Sequence, residues 1–262
     1  MNILITGASR GIGLAAAKRL ATKGHNVGLF ATNTTTLEQA IEDKAFKKAV
    51  KKKRIIIGQL DVTQPDSWDG AIEQMINNFG GIDTLINNAG VLVSGALPKT
   101  ALEEQLSLID VNCKGVLIGC HKLAPYLAES KDGKIVNVSS ASAIYGQPEV
   151  ATYAASKFFV RGLTEGLNIE YEKLGIKVID VMPLWVKSDM TKDIEVTSID
   201  RLGINLTVHD VAKTLCKLST SPNRKLKSTH YSVGIPAKVF QTLSQVTPDP
   251  LIRWINTKVG AQ

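Results

Sequence analysis

Aromatic residues make up only 5% of this 262-residue chain, cysteines number three, and no apolar run approaches the roughly 18 residues that a membrane-spanning helix requires. Each scarcity excludes something. The hydropathy pattern predicts no helical membrane span. Cys113, Cys120 and Cys216 show neither a CxxC pair nor Cys/His ligand spacing, so no metal centre and no disulfide framework is expected, and reduced thiols point to the cytoplasm. No internal repeat, low-complexity tract or Pro/Ser-rich linker divides the chain, so a single domain is expected. Residues 1–7 read as a core strand running into a glycine turn, which leaves no place for a cleavable leader. The net charge of +7 owes much to Lys44, Lys47, Lys48, Lys51, Lys52, Lys53 and Arg54. That cluster lacks the repeated aromatics of a single-strand stacking surface, so a solvated helix end is expected and no nucleic-acid partner.

What is present is a regular alternation. Short apolar runs at Asn2–Thr6, Asn26–Ala31, 54–60, Thr84–Asn87, 134–139, 177–182 and 229–233 are separated by segments long enough for crossover helices. The pattern predicts an α/β, doubly wound, seven-stranded parallel sheet, with ligands bound beyond the carboxyl ends of the strands. There Gly7, Asp61, Asn88, Ser140 and Pro183 gather. Periodicity fades between Pro183 and Asn205, and residues 184–206 are expected to form a mobile substrate loop rather than a core element.

Thr6-Gly7-Ala8-Ser9-Arg10-Gly11-Ile12-Gly13 follows the first strand and opens a helical segment at 14–23. Glycines at 7, 11 and 13 let backbone N–H groups approach a pyrophosphate at a helix N-terminus. Farther along, Tyr153 and Lys157 lie four apart on one predicted helix face, where an ammonium would lower the phenol's pKa and suit it to proton transfer. Ser140 supplies a hydroxyl nearby, with Ser139 and Ser142 as weaker alternatives. A glycine turn and a tuned tyrosine together imply a nicotinamide-dependent oxidoreductase in which Tyr153 serves as general acid/base.

The GxxxGxG spacing resembles that of the short-chain dehydrogenase/reductase family, whose motifs recur here in order. Residues 6–13 resemble its cofactor turn, Asp61 and Val62 its adenine-contacting pair, and Asn87-Asn88-Ala89-Gly90 its NNAG motif. Asn112, Ser140, Tyr153 and Lys157 resemble its catalytic tetrad. The resemblance implies a single-domain Rossmann fold over 1–235 with cofactor contacts from Gly7, Ser9, Arg10, Gly11, Ile12, Gly13, Thr32, Asp61, Val62, Asn88, Ala89, Gly90, Tyr153 and Lys157. It also implies that Lys157 binds the nicotinamide ribose, that Asn112 holds a relay water, and that the thirteen-residue interval to Tyr153 selects Ser140. After the sixth strand the family has Pro-Gly; here Leu184 follows Pro183, while Val186 and Ser188 still match the carboxamide contacts. Dimers or tetramers through helices at 100–127 and 153–174 are implied as well.

The second strand ends Phe30-Ala31-Thr32-Asn33 without a carboxylate for a free ribose 2′-OH, and Arg10 can pair with a 2′-phosphate. NADP(H) is therefore favoured over NAD(H), although Thr32 replaces the arginine common in NADP-dependent relatives. Val91, Leu92, Val93, Ala141, Ala143, Ile144 and Tyr145 form the expected pocket wall, which suits an apolar carbonyl or alcohol. The extension 236–262 carries Val239, Phe240, Leu243 and Val246 at helical spacing. Beyond them Leu251, Ile252, Trp254, Ile255 and Val259, with Arg253 and Lys258, form an amphipathic segment. Packing on the protein is the expectation and a weak membrane-surface contact the alternative. The alternative for the whole chain is a non-catalytic NADP(H) sensor on the same fold, a reading that replacement of Tyr153 or Lys157 would have favoured.

Overall fold

Alternate residues of each central strand enter two different cores, and that alternation builds the molecule. The computed structural model describes residues 1–192, 194, 196–234, 237 and 247–260 of the chain. Strands β1 (Asn2–Thr6), β2 (Asn26–Ala31), β3 (Ile55–Gln59), β4 (Thr84–Asn87), β5 (Lys134–Val138) and β6 (Lys177–Pro183) lead to two short strands, β7 (Val186–Lys187) and β8 (Leu206–Thr207), and then to β9 (His230–Val233). Seven of them form one parallel sheet in the order β3-β2-β1-β4-β5-β6-β9. Ile3 and Ile5 of β1 pack on one face with helices α1 (Gly11–Thr22) and α9 (Val208–Thr220), whereas Leu4 joins α4 (Pro65–Phe79), α6 (Gly115–Ala128) and α7 (Ala151–Glu170) on the other. The order reverses between β1 and β4, so their carboxyl ends open a crevice between diverging loops.

The seven predicted strands are all present, with ends that move by a residue. Arg54 and Leu60 fall just outside β3, and Pro183 extends β6. Helix α1 starts at Gly11 rather than at position 14, because the last glycines of the turn already belong to its first turn. The shorter helices are α2 (Thr34–Ile41), α3 (Lys47–Lys51), α5 (Leu102–Ile109) and α8 (Thr197–Leu202). Helix α3 carries Lys47, Lys48 and Lys51 of the basic cluster, whose lysines are all exposed while Phe46 beside it is wholly buried.

Polar groups fix how α7 lies on the sheet. Asn87 on β4 donates to Asn137 Oδ1 on β5 at 2.9 Å, and Asn137 donates to Thr164 Oγ1 on α7 at 2.9 Å. All three are nearly or fully buried, so a rotation of α7 would strand them without partners, at about 1–3 kcal/mol for each orphaned group. At the opposite end of the sheet the wholly buried Lys134 ammonium donates to Ser221 O at 2.7 Å and Ser219 O at 3.4 Å. It thus neutralises the negative end of α9.

Residues 184–206 are more ordered in their packing than a bare loop. Strand β7 pairs in parallel with β8, and α8 lies between them. Trp185 and Val196 bury against Val150, with Leu92, Tyr153 and Ile199 around them, and Trp185 Nε1 donates to Ser198 Oγ at 3.2 Å. Fading periodicity hid this small core because its members come from four separate segments. Glu149 pins it: its carboxylate accepts from Thr197 N at 2.7 Å and Thr197 Oγ1 at 3.1 Å, and its backbone oxygen accepts from Gly95 N at 2.6 Å. The residue does so at φ +64°, a conformation that costs a non-glycine residue about 1 kcal/mol or more.

The C-terminal helix Asp249–Gly260 lies against α8, and the Arg201 guanidinium donates to the backbone oxygens of Thr257 and Lys258 in its last turn. Leu251 and Trp254 are exposed on it. Val239, Phe240, Leu243 and Val246 lie outside the described residues, as do the side chains of Ile252, Ile255 and Val259. Among the described residues no helix is long and apolar enough to cross a membrane.

Candidate active site

The glycine turn is sewn to the end of β4. Thr6 Oγ1 accepts from the backbone N–H groups of Asn88 and Ala89, each at 3.0 Å, and Asn88 Nδ2 returns bonds to Thr6 O at 2.9 Å and Gly7 O at 3.0 Å. Gly7 sits at φ +62°, and a Cβ there would stand 2.8 Å from Ala89 Cα. Gly13 has another reason: a Cβ would lie 2.5 Å from Asn88 Nδ2 and 2.6 Å from Gly7 O, so only hydrogen lets α1 approach. It packs the turn and does not line the cleft. Around Gly11, at φ +58°, the space is open.

Arg10 precedes α1 without a side-chain cap, so the first-turn amides of a twelve-residue helix face a cleft of about 480 Å³. Gly7, Ser9, Arg10, Gly11 and Ile12 form this end of it. The donor set and the glycine cradle fit a dinucleotide pyrophosphate. Farther out lie Thr32, Asp61 and Val62, and Asp61 Oδ1 is held by Thr63 N at 3.0 Å and Thr63 Oγ1 at 2.8 Å. Asn33 is occupied in capping α2, accepting from Thr36 N at 3.3 Å. The residues directly after β2, Thr32 to Thr36, include no carboxylate.

The cleft continues past Asn88, Ala89 and Gly90 to Ser140, Tyr153 and Lys157, with Val186 and Ser188 opposite. Asn112 stands just behind. It occupies a π turn, Asp110–Lys114, between α5 and α6; it accepts from Val91 N at 2.9 Å and donates to Val91 O at 2.9 Å and Ser156 Oγ at 3.1 Å. Wide turns of this kind recur at functional sites, where they re-aim a side chain. Ser156 passes the link on to Tyr153 O at 2.7 Å. Every candidate residue except Gly13 and Asn112 therefore borders the cleft, and those two brace its walls.

Lys157 Nζ donates to Val138 O at 3.0 Å and stands 5.5 Å from the Tyr153 ring centre. Burial pushes its pKa down to about 8. Burial also pushes Tyr153 up to about 12, with the Ser140 hydroxyl bond opposing. The depressed phenol expected from the Tyr/Lys spacing is thus not what this geometry gives, because desolvation outweighs an ammonium held at ring distance. Ser139 spends its hydroxyl on Lys157 O at 3.3 Å, which leaves Ser140 as the serine facing the tyrosine.

The expected pocket wall is half right. Val91, Leu92 and Ala141 line the cleft, whereas Ala143, Ile144 and Tyr145 turn into a buried cluster with Met182 and Ala237, and Val93 lies off the lining. Sequence reasoning missed Gln147, Trp185, Met190 and Thr191 on the lining. Gln147 left one signal, a lone amide between Gly146 and Pro148 in an otherwise apolar stretch. Thr191 holds the far wall, donating to Val186 O at 2.7 Å and accepting from Ser188 N at 3.1 Å.

A family model described as short chain dehydrogenase matches residues 1–198. The chain belongs to the short-chain dehydrogenase family. This short-chain dehydrogenase is 37% identical over 236 residues to an uncharacterised oxidoreductase of Staphylococcus saprophyticus, covering 89% of the chain and 90% of that relative. It is 35% identical over 188 residues to the 3-oxoacyl-[acyl-carrier-protein] reductase of Staphylococcus aureus, covering 72% of the chain and 75% of the relative. Among solved structures it resembles a 3-ketoacyl-(acyl-carrier-protein) reductase of Brucella melitensis complexed with NADH, with TM-score 0.77, 26% identity, and 88% and 95% coverage. It also resembles ElxO with NADP bound, with TM-score 0.78, 26% identity, and 88% and 96% coverage.

Proposed function

We propose that this short-chain dehydrogenase interconverts a carbonyl and an alcohol on an apolar or lipid-like substrate, with NADP(H) preferred over NAD(H) and Tyr153 as general acid/base. The observation that carries the reading is the meeting of Ser140, Tyr153 and Lys157 on one wall of the cleft that the glycine turn opens. A bound nicotinamide supplies or accepts the hydride there. Tyr153 gives its phenolic proton to the substrate oxygen in reduction and takes it back in oxidation. A phenol with its pKa at about 12 holds its proton until a more basic alkoxide develops beside it. Ser140 donates a hydrogen bond to that same oxygen, and the Lys157 ammonium favours phenolate when the proton leaves. Asn112 fixes the Val91 backbone and so the facing wall. Arg10 and the carboxylate-free end of β2 support the 2′-phosphorylated cofactor, and Leu92, Trp185 and Met190 support an apolar substrate.

The test follows nicotinamide absorbance with NADPH, and separately NADH, against apolar ketones, aldehydes and 3-oxoacyl thioesters. NADPH oxidation that Tyr153→Phe lowers about a thousandfold is expected, within the range for general acid–base catalysis. Cofactor binding without turnover in either direction would overturn the enzymatic reading in favour of an NADP(H) sensor.

A further inference from the structure

Behind Ser140 lies a chain of buried polar groups that the proposed reaction has not used. Ser140, Ser142 and Gln147 are 8%, 5% and 4% exposed, and all three border the cleft. Gln147 Nε2 donates to Tyr145 OH at 3.3 Å, which directs the other end of the amide, Oε1, toward Ser142. Ser142 Oγ donates to that oxygen at 2.9 Å. A carbonyl oxygen can only accept, so the Ser142 proton is committed to Gln147. Ser142 Oγ then has only lone pairs to offer its neighbour, and Ser140 Oγ donates to it at 3.2 Å. The Ser142 backbone N–H meanwhile donates to Ser140 Oγ at 3.1 Å. The polarity of the chain runs one way, and it fixes Ser140 as a donor whose oxygen is already anchored.

We infer that Gln147 and Ser142 are positioning residues that set the direction and placement of the Ser140 hydroxyl for the substrate oxygen. The inference rests on the proposed reductase reading. In the resting site the Ser140 proton is shared between Tyr153 and Ser142, and the bond to Ser142 is long and weak, 3.2 Å against the usual 2.7–2.8 Å for hydroxyl pairs. A carbonyl oxygen arriving beside Tyr153 offers a better acceptor, and the proton swings to it without any movement of the serine backbone, which the 3₁₀ turn Ala141–Ala143 holds. Without the Gln147 acceptor, Ser142 is free to turn its own proton toward Ser140 and the fixed polarity is lost.

The experiment is a double-mutant cycle on kcat with NADPH and one active carbonyl from the panel. Gln147→Leu and Ser142→Ala are each expected to lower kcat about tenfold, the scale of one lost hydrogen bond in the transition state. The NADPH dissociation constant, read from fluorescence, stays within about twofold of wild type if the hydroxyl chain alone is disturbed. Ser142→Thr keeps the hydroxyl and recovers most of the loss. In a Ser140→Ala background, Gln147→Leu costs nothing further, because its effect passes through the missing hydroxyl. A loss as large in that background, a Ser142→Ala variant with wild-type kcat, or a Ser142→Thr variant no better than Ser142→Ala would each overturn the inference while leaving the reductase reading intact. A wild-type protein without Tyr153-dependent turnover would overturn both.

Discussion

Replacing Lys157 with methionine is expected to stabilise the cofactor-free protein at neutral pH while removing its proposed chemistry. The lysine is 6% exposed, and burial holds its pKa at about 8 against an ordinary 10.5, with Cys113 opposing weakly. The folded value is the lower one. Between these two values the unfolded chain therefore keeps a proton that the folded chain has released, and stability rises with pH through that window. Below pH 8 both states are charged and the burial cost is fully present. The gap between 10.5 and about 8 corresponds to about 3 kcal/mol, at about 1.36 kcal/mol per tenfold change in proton affinity. Methionine removes that cost but leaves Val138 O without the donor it has at 3.0 Å, which costs about 1–3 kcal/mol. The variant should thus gain up to about 2 kcal/mol at pH 7 and lose about 1–3 kcal/mol above pH 10.5, where the neutral amine still donates. In thermal melts of both proteins from pH 7 to pH 10.5, the difference in Tm should fall by roughly 6–12 °C in disfavour of the variant, at about 2–4 °C per kcal/mol for a chain of this size. A difference that stays flat with pH, or that grows in the variant's favour, would refute desolvation as the origin of the lysine's shift.

Three further substitutions probe the scaffold around the site. Gly13→Ala pushes a Cβ into Asn88 Nδ2 and Gly7 O; overpacking of about 1–3 kcal/mol should lower Tm and weaken NADPH binding, whereas Gly11→Ala, with open space and only its positive φ to strain, should cost about 1–2 kcal/mol. Equal Tm values for wild type and Gly13→Ala would show that the turn relaxes freely. Glu149→Ala removes both carboxylate bonds to Thr197, so limited proteolysis within residues 184–206 should accelerate at least about tenfold and the substrate KM should rise, while NADPH affinity holds; unchanged cleavage would mean that the Trp185 cluster alone keeps this segment closed.

Much of this was legible in the chain because the relevant signals are local. Consecutive apolar residues at Ile3, Leu4 and Ile5 fill both faces of a strand at once, and a glycine run after such a strand announces a turn that needs hydrogen in place of Cβ. The Tyr153 and Lys157 pair was visible for the same reason, being one helical turn. What spacing could not convey is burial. It reported an ammonium beside a phenol, while the folded protein adds the desolvation that pushes the phenol up. Nor could it join distant partners: Asn112 meets Val91 across 21 residues, and Glu149 meets Thr197 across 48. The core under residues 184–206 stayed hidden because Leu92, Val150, Trp185 and Val196 form no periodic pattern in any one segment.

The π turn at Asp110–Lys114 divides one long rod into two screws cut out of phase. An α-helix turns about 100° per residue, and a π turn holds one residue more than regular winding needs. That offset lets Leu102 and Leu106 face outward before the turn, while Leu123 and Leu127 stay inside after it and Asn112 points between them at the cleft wall. Deleting a single residue there would restore even winding and leave α5 and α6 in their present orientation, because only the surplus residue is lost. Gln105 and Leu108 would stay inside, and the loss would fall on the turn itself, where the side chain that clamps Val91 would be carried off its mark.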